Sequence, residues 1–110
     1  MNKKDIELLK KFKSGTILHA SDLNNIYGVL SKIAKQTTIN LKSKPQWTSG
    51  ATVTADSLNN LLNDIEQVFD GLGFEKIKWS FGQFKDGTVL KAEHLNEIVD
   101  KLQYCIKKII

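Results

Sequence analysis

The residues of this chain that could do chemistry are few and lie far apart. Its two histidines, His19 and His94, have no cysteine or carboxylate at the spacing of a metal site, so we expect both to lie on the surface. Cys105 is the single cysteine, and it falls on the apolar stripe of a predicted helix. A cysteine in that setting behaves as a small buried hydrophobic residue rather than as a nucleophile.

The acidic residues do not indicate a catalytic pair either. Asp64 with Glu66, and Glu93 with Glu97, are close in sequence, but we expect them to lie on solvated helix faces with no pocket for a general acid. The chain contains neither the GxxxxGK[ST] loop that binds nucleotide phosphates nor the GxGxxG loop that binds dinucleotides. The sequence therefore predicts no catalytic residue, no metal ligand and no cofactor, and a protein that is not an enzyme.

The elements that position these residues come from an internal repeat. Three segments align without gaps at spacings of 35 and 37 residues. Each segment has an aromatic residue, then a glycine, an alanine and a Leu-Asn pair in the same register: Phe12, Gly15, Ala20, Leu23 and Asn24; Trp47, Gly50, Ala55, Leu58 and Asn59; Phe84, Gly87, Ala92, Leu95 and Asn96. We therefore predict one domain, residues 1–110, with repeats at about 12–35, 47–70 and 84–110.

Each repeat is predicted to be a turn followed by a helix. The Ser-Gly or Asp-Gly step is typical of a tight turn, and the apolar residues after it recur every three or four positions, which indicates an amphipathic helix. Thr54 is a good N-cap, whereas His19 and Lys91 are poorer caps at the matching positions. The predicted fold class is mainly α: three turn-plus-helix units packed as a small helical bundle. We also expect a short N-terminal helix at 5–12 and a short strand or β-hairpin near 74–84.

The asparagine of each Leu-Asn pair is the polar residue that most needs an explanation. Asn24, Asn59 and Asn96 fall in the first turns of the predicted helices, where asparagine has no propensity advantage. A side-chain amide in this place can reach back to the turn that precedes its own helix and satisfy backbone groups there. The alternative is that the three amides bind a ligand.

Composition limits the classes of partner. The formal charge is +4, and all sixteen basic residues are lysine. A lysine-rich nucleic-acid-binding module is therefore an alternative, although the absence of arginine disfavours base readout and bidentate phosphate binding. No apolar run is long enough to span a membrane, and the first residues do not read as a signal peptide. With a single cysteine, these features favour a protein made in a reducing cytoplasm.

The repeated motif resembles one found in virion proteins of tailed bacteriophages, including tail fibres, neck appendages, head fibres and baseplate-associated proteins. The likeness is carried by WTSGATVTADSLNNLLNDI and FKDGTVLKAEHLNEI, with FKSGTILHASDLNNI as a looser copy. The resemblance implies a non-enzymatic structural protein of the virion, assembled in the host cytoplasm. At this length we expect a small adaptor, attachment or decoration component whose partners are other virion proteins of the capsid, portal or neck, tail or fibre.

Two arrangements of the repeats are open at this point. The three units could form one intrachain bundle with pseudo-threefold symmetry, or the last helix could associate between chains through Val99, Ile106 and Ile110.

The two tryptophans are expected to have different roles. Trp79 has no counterpart in the other repeats, so we expect it to be an exposed contact residue. Trp47 aligns with phenylalanine in both other repeats and is predicted to be a core residue.

Overall fold

The computed structural model contains three helices, which we number in chain order: α1 is Ala20–Gln36, α2 is Ala55–Gly71 and α3 is Ala92–Ile109. The residues that the structure describes are 9, 11–13, 18–43, 45–50, 53–87 and 90–109. Each helix contacts both of the others, which confirms the predicted mainly α chain packed as a small helical bundle. The predicted N-terminal helix at 5–12 lies largely outside the described residues.

The helices begin at one matching position. Ala20, Ala55 and Ala92 are the first residues of α1, α2 and α3, and they are the three aligned alanines of the motif. Thr54 caps α2 as predicted, because its Oγ1 accepts a hydrogen bond from the backbone N–H of Ser57 at 3.1 Å. The weaker caps before α1 and α3 therefore do not shift the starts of these two helices.

Helices α1 and α2 end with the same hydrogen bonds. Thr38 and Gly73 have φ angles of 58° and 75°, and each directly follows a helix cap. One residue further on, Ile39 N–H donates to Ala34 O at 2.8 Å and Phe74 N–H donates to Phe69 O at 2.9 Å. These are the bonds of a Schellman motif, which satisfies the last helical carbonyls and turns the chain back along the bundle.

The three helices run parallel. Leu18, Val53 and Leu90, which directly precede the helices, line one cleft, so the three N-termini lie at the same end of the bundle. Near the other end, the ring of Phe69 in α2 stacks on Tyr104 in α3 with 6.1 Å between ring centroids. Because consecutive parallel helices need a connection of full helix length, residues 37–54 and 72–91 must return along the bundle.

The core lies along the shared axis of the helices and under the two returning segments. The described hydrophobic residues that are buried come from all three helices and from the segments before them: Leu9, Leu23, Ile26, Val29, Leu30, Ile33, Ala34, Leu41, Trp47, Leu58, Leu61, Leu62, Ile65, Val68, Phe69, Phe84, Leu95, Ile98, Val99, Leu102, Cys105 and Ile106. Each repeat therefore contributes its aromatic residue or its leucine to one continuous core.

The predicted hairpin near 74–84 is wrong, because no residue of this fully described segment is in a strand. Its alternating apolar side chains pack on the helices instead of forming one face of a hairpin. The backbone N–H and the hydroxyl of Ser80 both donate to the carboxylate of Glu97 in α3, the former at 2.9 Å. The segment thus pairs with α3 and not with itself, since a two-stranded hairpin is only marginally stable without a sheet partner.

Candidate functional site

The asparagines of the motif form three equivalent contacts, of which the first joins α1 to the segment before α2. Asn24 Nδ2 donates to the backbone carbonyl of Trp47 at 2.7 Å, and Trp47 N–H donates to Asn24 Oδ1 at 3.1 Å. One primary amide therefore satisfies both backbone polar groups of one residue. We call this two-bond contact an asparagine clasp.

The other two clasps repeat this geometry. Asn59 in α2 holds Phe84, with 2.9 Å for each of the two hydrogen bonds. Asn96 in α3 holds Phe12, where Phe12 N–H donates to Oδ1 at 2.6 Å and Nδ2 donates to Phe12 O at 2.8 Å. The three amides thus bind the three aligned aromatic residues of the motif, and each does so through the backbone.

The direction of the clasps differs from the prediction. We expected each amide to bond the turn of its own repeat, but each one bonds the aromatic residue of another repeat. The first repeat holds the second, the second holds the third, and Asn96 of the third holds Phe12 of the first across 84 residues. In the part of the chain that the structure describes, no strand lies beside the clasped backbone, so these amides supply the hydrogen bonds that a neighbouring strand would otherwise make.

A second set of equivalent hydrogen bonds caps the N-termini of α1 and α3. In α1, His19 N–H donates to Asp22 Oδ2 at 2.8 Å. In α3, Lys91 N–H donates to His94 Nδ1 at 3.0 Å. Both acceptors occupy the third helical position, where a side chain that bonds back to the cap residue completes half of a capping box. This spacing is visible in the sequence, although histidine is an uncommon residue for the role.

The expectation that both histidines lie on the surface holds for His19, which is exposed, and is wrong for His94. The His94 ring is half-buried, and its centroid lies 4.9 Å from that of Phe81 and 5.3 Å from that of Phe84. Its Nδ1 accepts the hydrogen bond from Lys91 N–H. His94 therefore links the start of α3 to the aromatic residue held by Asn59.

Asp64 is not on a solvated face, which corrects another expectation. It is 1% exposed, and it accepts hydrogen bonds from Ser43 N–H at 3.2 Å and from the Tyr27 hydroxyl at 3.4 Å. Burial, then the charge of Asp64 and the hydrogen bond to it, raise the pKa of Tyr27 to about 12. The signal in the sequence is that Asp64 lies three residues after Leu61 and four before Val68, both on the apolar stripe.

The residues proposed for contacts between chains are mostly inside the molecule. Val99 and Ile106 are completely buried in the intrachain core, which disfavours the alternative arrangement in which they contact a second chain. They are inaccessible because α3 packs on both other helices and so uses its whole widened apolar stripe. Ile110 lies outside the described residues. Trp79 is half-buried against the core and Phe81, which corrects its prediction as an exposed contact.

The predicted burial of Trp47 and of Cys105 in the core is confirmed. Trp47 is a core residue with 7% of its surface exposed, and its indole N–H donates to Ser57 Oγ at 3.1 Å. Cys105 is completely buried, and burial raises the pKa of its thiol to about 11. The thiolate required of a nucleophile is therefore disfavoured at neutral pH.

Two clefts lie at the N-terminal end of the bundle, each between the start of a helix and the turn after the aromatic residue that this helix clasps. One lies between the start of α1 and the turn at Thr48–Gly50, and the other between the start of α2 and the turn at 85–87. Most residues that line the first cleft correspond through the repeat to residues that line the second: Leu18 to Val53, His19 to Thr54, Ala20 to Ala55, Leu23 to Leu58, and Thr48–Gly50 to 85–87. Gly50 and Gly87, with φ angles of 82° and 85°, form the predicted turns, while Gly15 lies outside the described residues.

Comparison with known proteins does not assign the chain to a family: no family model matches it, and neither a characterised protein nor a solved structure matches it significantly. Among the described residues, no group of three or more histidine, cysteine, aspartate or glutamate side chains is placed to hold a metal ion. No described helix is both long and apolar enough to cross a membrane.

Proposed function

We propose that this chain is a non-enzymatic structural module made of three tandem turn-plus-helix units, and that it serves as a small adaptor, attachment or decoration component of a tailed-bacteriophage virion. Its localisation is the virion, after assembly in the host cytoplasm. Its partners are other virion proteins of the capsid, portal or neck, tail or fibre. The resemblance of the motif to one in virion structural proteins supports the phage assignment, and the asparagine clasps support the structural role.

The observation that carries the structural role is what the motif asparagines do. All three amides use both their oxygen and their nitrogen on backbone groups of this chain. A ligand at these amides would have to displace those bonds and leave the backbone groups of Trp47, Phe84 or Phe12 unsatisfied. The motif therefore encodes the assembly of repeats, and the ligand-binding alternative for the asparagines is disfavoured.

The described groups that could carry chemistry support the proposal that the chain is not an enzyme. The Cys105 thiol is buried in the core. The Asp64 carboxylate and the His94 Nδ1 are both used in internal hydrogen bonds. A catalytic role for these three residues would require the fold to give up contacts that hold the connecting segments and the start of α3.

The decisive experiment is mass spectrometry of purified phage particles. Particles are banded twice by density, treated with nuclease, cross-linked with a lysine-reactive reagent and digested. Peptides of this chain should be found at a constant ratio to the major capsid protein, with cross-links to another virion protein. A non-structural phage protein expressed at a similar level serves as the control. Loss of the chain during banding, with the capsid ratio falling at each step, contradicts the proposal.

A separate binding measurement tests the lysine-rich nucleic-acid-binding alternative. Binding of the purified chain to double-stranded DNA is measured by fluorescence anisotropy at several salt concentrations. A nucleic-acid-binding module would show an affinity that falls steeply with salt, with a slope set by the number of phosphates neutralised. We expect no such binding at physiological salt. A steep salt slope, combined with absence from banded particles, would favour the alternative.

A further inference from the structure

We propose that residues 75–78 are a docking edge on which an extended, acidic peptide segment of a partner protein binds as an added strand. We call this segment the open edge. The inference goes beyond the proposed function, because it follows from the contacts of this segment and does not depend on the phage assignment. It gives a position and a partner chemistry to a part of the chain that the asparagine clasps do not use.

The open edge has unused backbone hydrogen-bonding groups. Residues 74–79 contain no helix, turn or bend. Hydrogen bonds to the rest of the fold are made on either side of the edge, where Phe74 N–H donates into the last turn of α2 at 2.9 Å and Ser80 N–H donates to Glu97 at 2.9 Å. Among the described residues, no partner is found for the backbone N–H and C=O groups of 75–78. Unpaired groups of this kind are the template to which an extended chain adds as a strand.

The side chains of the open edge keep it in place and leave it accessible. Ile77 is half-buried and packs against the core, whereas Glu75, Lys76 and Lys78 are exposed. Apolar packing, and not hydrogen bonding, therefore holds this stretch of chain on the bundle. Its polar groups stay available to a partner, and a partner strand can pair with it without displacing a bond of the fold.

A cleft with aromatic walls lies beside the open edge, on the side of α3. Its lining includes Phe69, Phe74 and Tyr104, and the centroids of these three rings lie between 5.4 and 6.1 Å apart. Tyr104 is 46% exposed and is the one exposed large hydrophobic residue in the part of the chain that the structure describes. An apolar side chain of a docked peptide would cover this ring, and burial of that surface would favour binding.

The charges around this cleft favour an acidic occupant. Three lysines line it: Lys76, Lys78 and Lys101. A fourth ammonium group, that of Lys108, lies 5.6 Å from the centroid of the Tyr104 ring. The lining contains two carboxylates, of which Asp100 is already in an ion pair with Lys11, so that Glu75 alone opposes the lysines. Carboxylates of an incoming peptide would therefore meet an excess of positive charge.

The opposite side of the open edge favours a peptide over a nucleic acid. The cleft on the side of α2 contains the charged residues Glu66, Asp70 and Lys76, so it carries more negative than positive charge. A nucleic acid has a negative charge at every phosphate and would be repelled on this side. A peptide strand places successive side chains on opposite faces, so it can present its acidic residues to the lysines and its other residues elsewhere.

Selection from a random peptide library tests the proposal on the full chain. The probe is a yeast-displayed library of random peptides of about ten residues, which is long enough for one strand, sorted against the fluorescently labelled protein. The retained peptides should be enriched in aspartate and glutamate and should carry aromatic or aliphatic residues between them. Enrichment in lysine and arginine, or no enrichment after repeated sorting, overturns the proposal.

Two charge-matched variants locate the binding. Lys76→Glu with Lys78→Glu should weaken binding of the best selected peptide by about tenfold, as measured by fluorescence anisotropy. Lys42→Glu with Lys85→Glu changes two exposed lysines that line neither cleft and should keep the affinity within about twofold. Circular dichroism verifies that both variants are folded. Equal losses in the two variants would show a general electrostatic attraction and overturn the proposal.

Strand pairing is tested on the unmodified chain, which keeps the test decisive if the variants fold poorly. The selected peptide should shift the amide resonances of 75–78 and slow their hydrogen exchange. N-methylation of alternate peptide residues removes the donors on one edge of the peptide, so one of the two alternating sets should weaken binding by about tenfold and the other should serve as its control. Binding that leaves the amides of 75–78 unchanged overturns the proposal.

Two other occupants of the open edge would give different results. A single-stranded oligonucleotide that shifts these amides at physiological salt more strongly than the selected peptide would assign the edge to nucleic acid. Shifts of the same amides that grow with protein concentration in the chain alone would assign it to a second copy. Either result overturns the proposal. None of these measurements uses phage particles, so their failure is distinct from a failure of the proposed function.

Discussion

The side chain of Asn96 holds both backbone polar groups of Phe12, 84 residues earlier in the chain, at 2.6 Å and 2.8 Å. Asn24 and Asn59 make the same two hydrogen bonds to the aromatic residues of the second and third repeats. The three clasps therefore form a closed cycle, in which each helix supplies the hydrogen bonds for the segment that enters the bundle beside it. This cycle explains why an asparagine recurs inside the early turns of three helices.

The first prediction concerns the middle clasp. Asn59→Ala removes two hydrogen bonds and leaves the N–H and C=O of the buried Phe84 unsatisfied, so it should lower the free energy of unfolding by about 2–3 kcal/mol. Asn59→Asp keeps an acceptor for the N–H but places a carboxylate oxygen against the carbonyl, so it should also destabilise. Urea denaturation measures both changes. Asn63→Ala, at an exposed position of the same helix, is the control and should stay within about 0.5 kcal/mol of the parent.

The second prediction separates the third clasp from the other two. Asn96→Ala should release the backbone of Phe12 while the helices stay folded, because Phe12 lies outside the three helices and the contact joins residues 84 positions apart. Hydrogen exchange should show lost protection at Phe12, with the slowest amides of α1 and α2 little changed. Asn59→Ala should instead reduce protection throughout the bundle. Uniform loss of protection in both variants would show that Phe12 and the helices unfold together.

The third prediction compares two helix ends. Thr38 and Gly73 occupy the same position of the Schellman motif, but only Gly73 adopts a positive φ without steric cost. Thr38→Gly should therefore stabilise the chain by about 0.5–1 kcal/mol, after allowance for the flexibility that glycine adds to the unfolded state. Gly73→Ala should destabilise by about 1 kcal/mol, since its added Cβ would meet no atom within 4 Å and only the backbone conformation is penalised. Thermal or urea denaturation of both variants tests the pair.

The fourth prediction is a loss of stability at alkaline pH. The pKa of Tyr27 is raised from 10.0 to about 12 in the folded chain, so the folded state binds this proton more tightly than the unfolded state does. The resulting stabilisation is fully present below pH 10 and is lost as the pH rises from about 10 to about 12. Tyr27→Phe should show a smaller loss over that interval. Tyrosinate absorbance in a Tyr104→Phe variant, where Tyr27 is the remaining tyrosine, should report a midpoint near 12.

The fifth prediction distinguishes the two tryptophans. The indole N–H of Trp47 donates to Ser57, whereas the buried indole nitrogen of Trp79 has no hydrogen-bond partner among the described residues. Trp47→Phe should therefore cost about 1 kcal/mol more than Trp79→Phe, since the second change also removes an unsatisfied donor. Denaturation followed by circular dichroism gives the comparison independently of tryptophan fluorescence. Equal costs would indicate that ring volume alone sets both values.

Local patterns in the sequence were sufficient for the helices and for the register of the motif. The recurrence of apolar residues predicts α1, α2 and α3, and the aligned alanines coincide with their first residues. Turn chemistry at Gly50, Gly87 and Gly73 is equally local, since glycine adopts a positive φ without steric cost. The alternation in 74–84 was misleading because a strand depends on a partner, and the helices supply the contacts of that segment instead.

Only the tertiary structure decided which repeat each polar side chain bonds. An amide in an early helical turn can bond any backbone that passes within reach, so sequence position could not show that Asn24 holds Trp47 or that Asn96 holds Phe12. The burial of Asp64 and of Val99 depends in the same way on which helix faces meet. The amino-acid sequence determined the three helices and the turns at Gly50 and Gly87 because helix and turn formation are local. The closure of the three clasps into one cycle required the parallel packing that brings distant segments together.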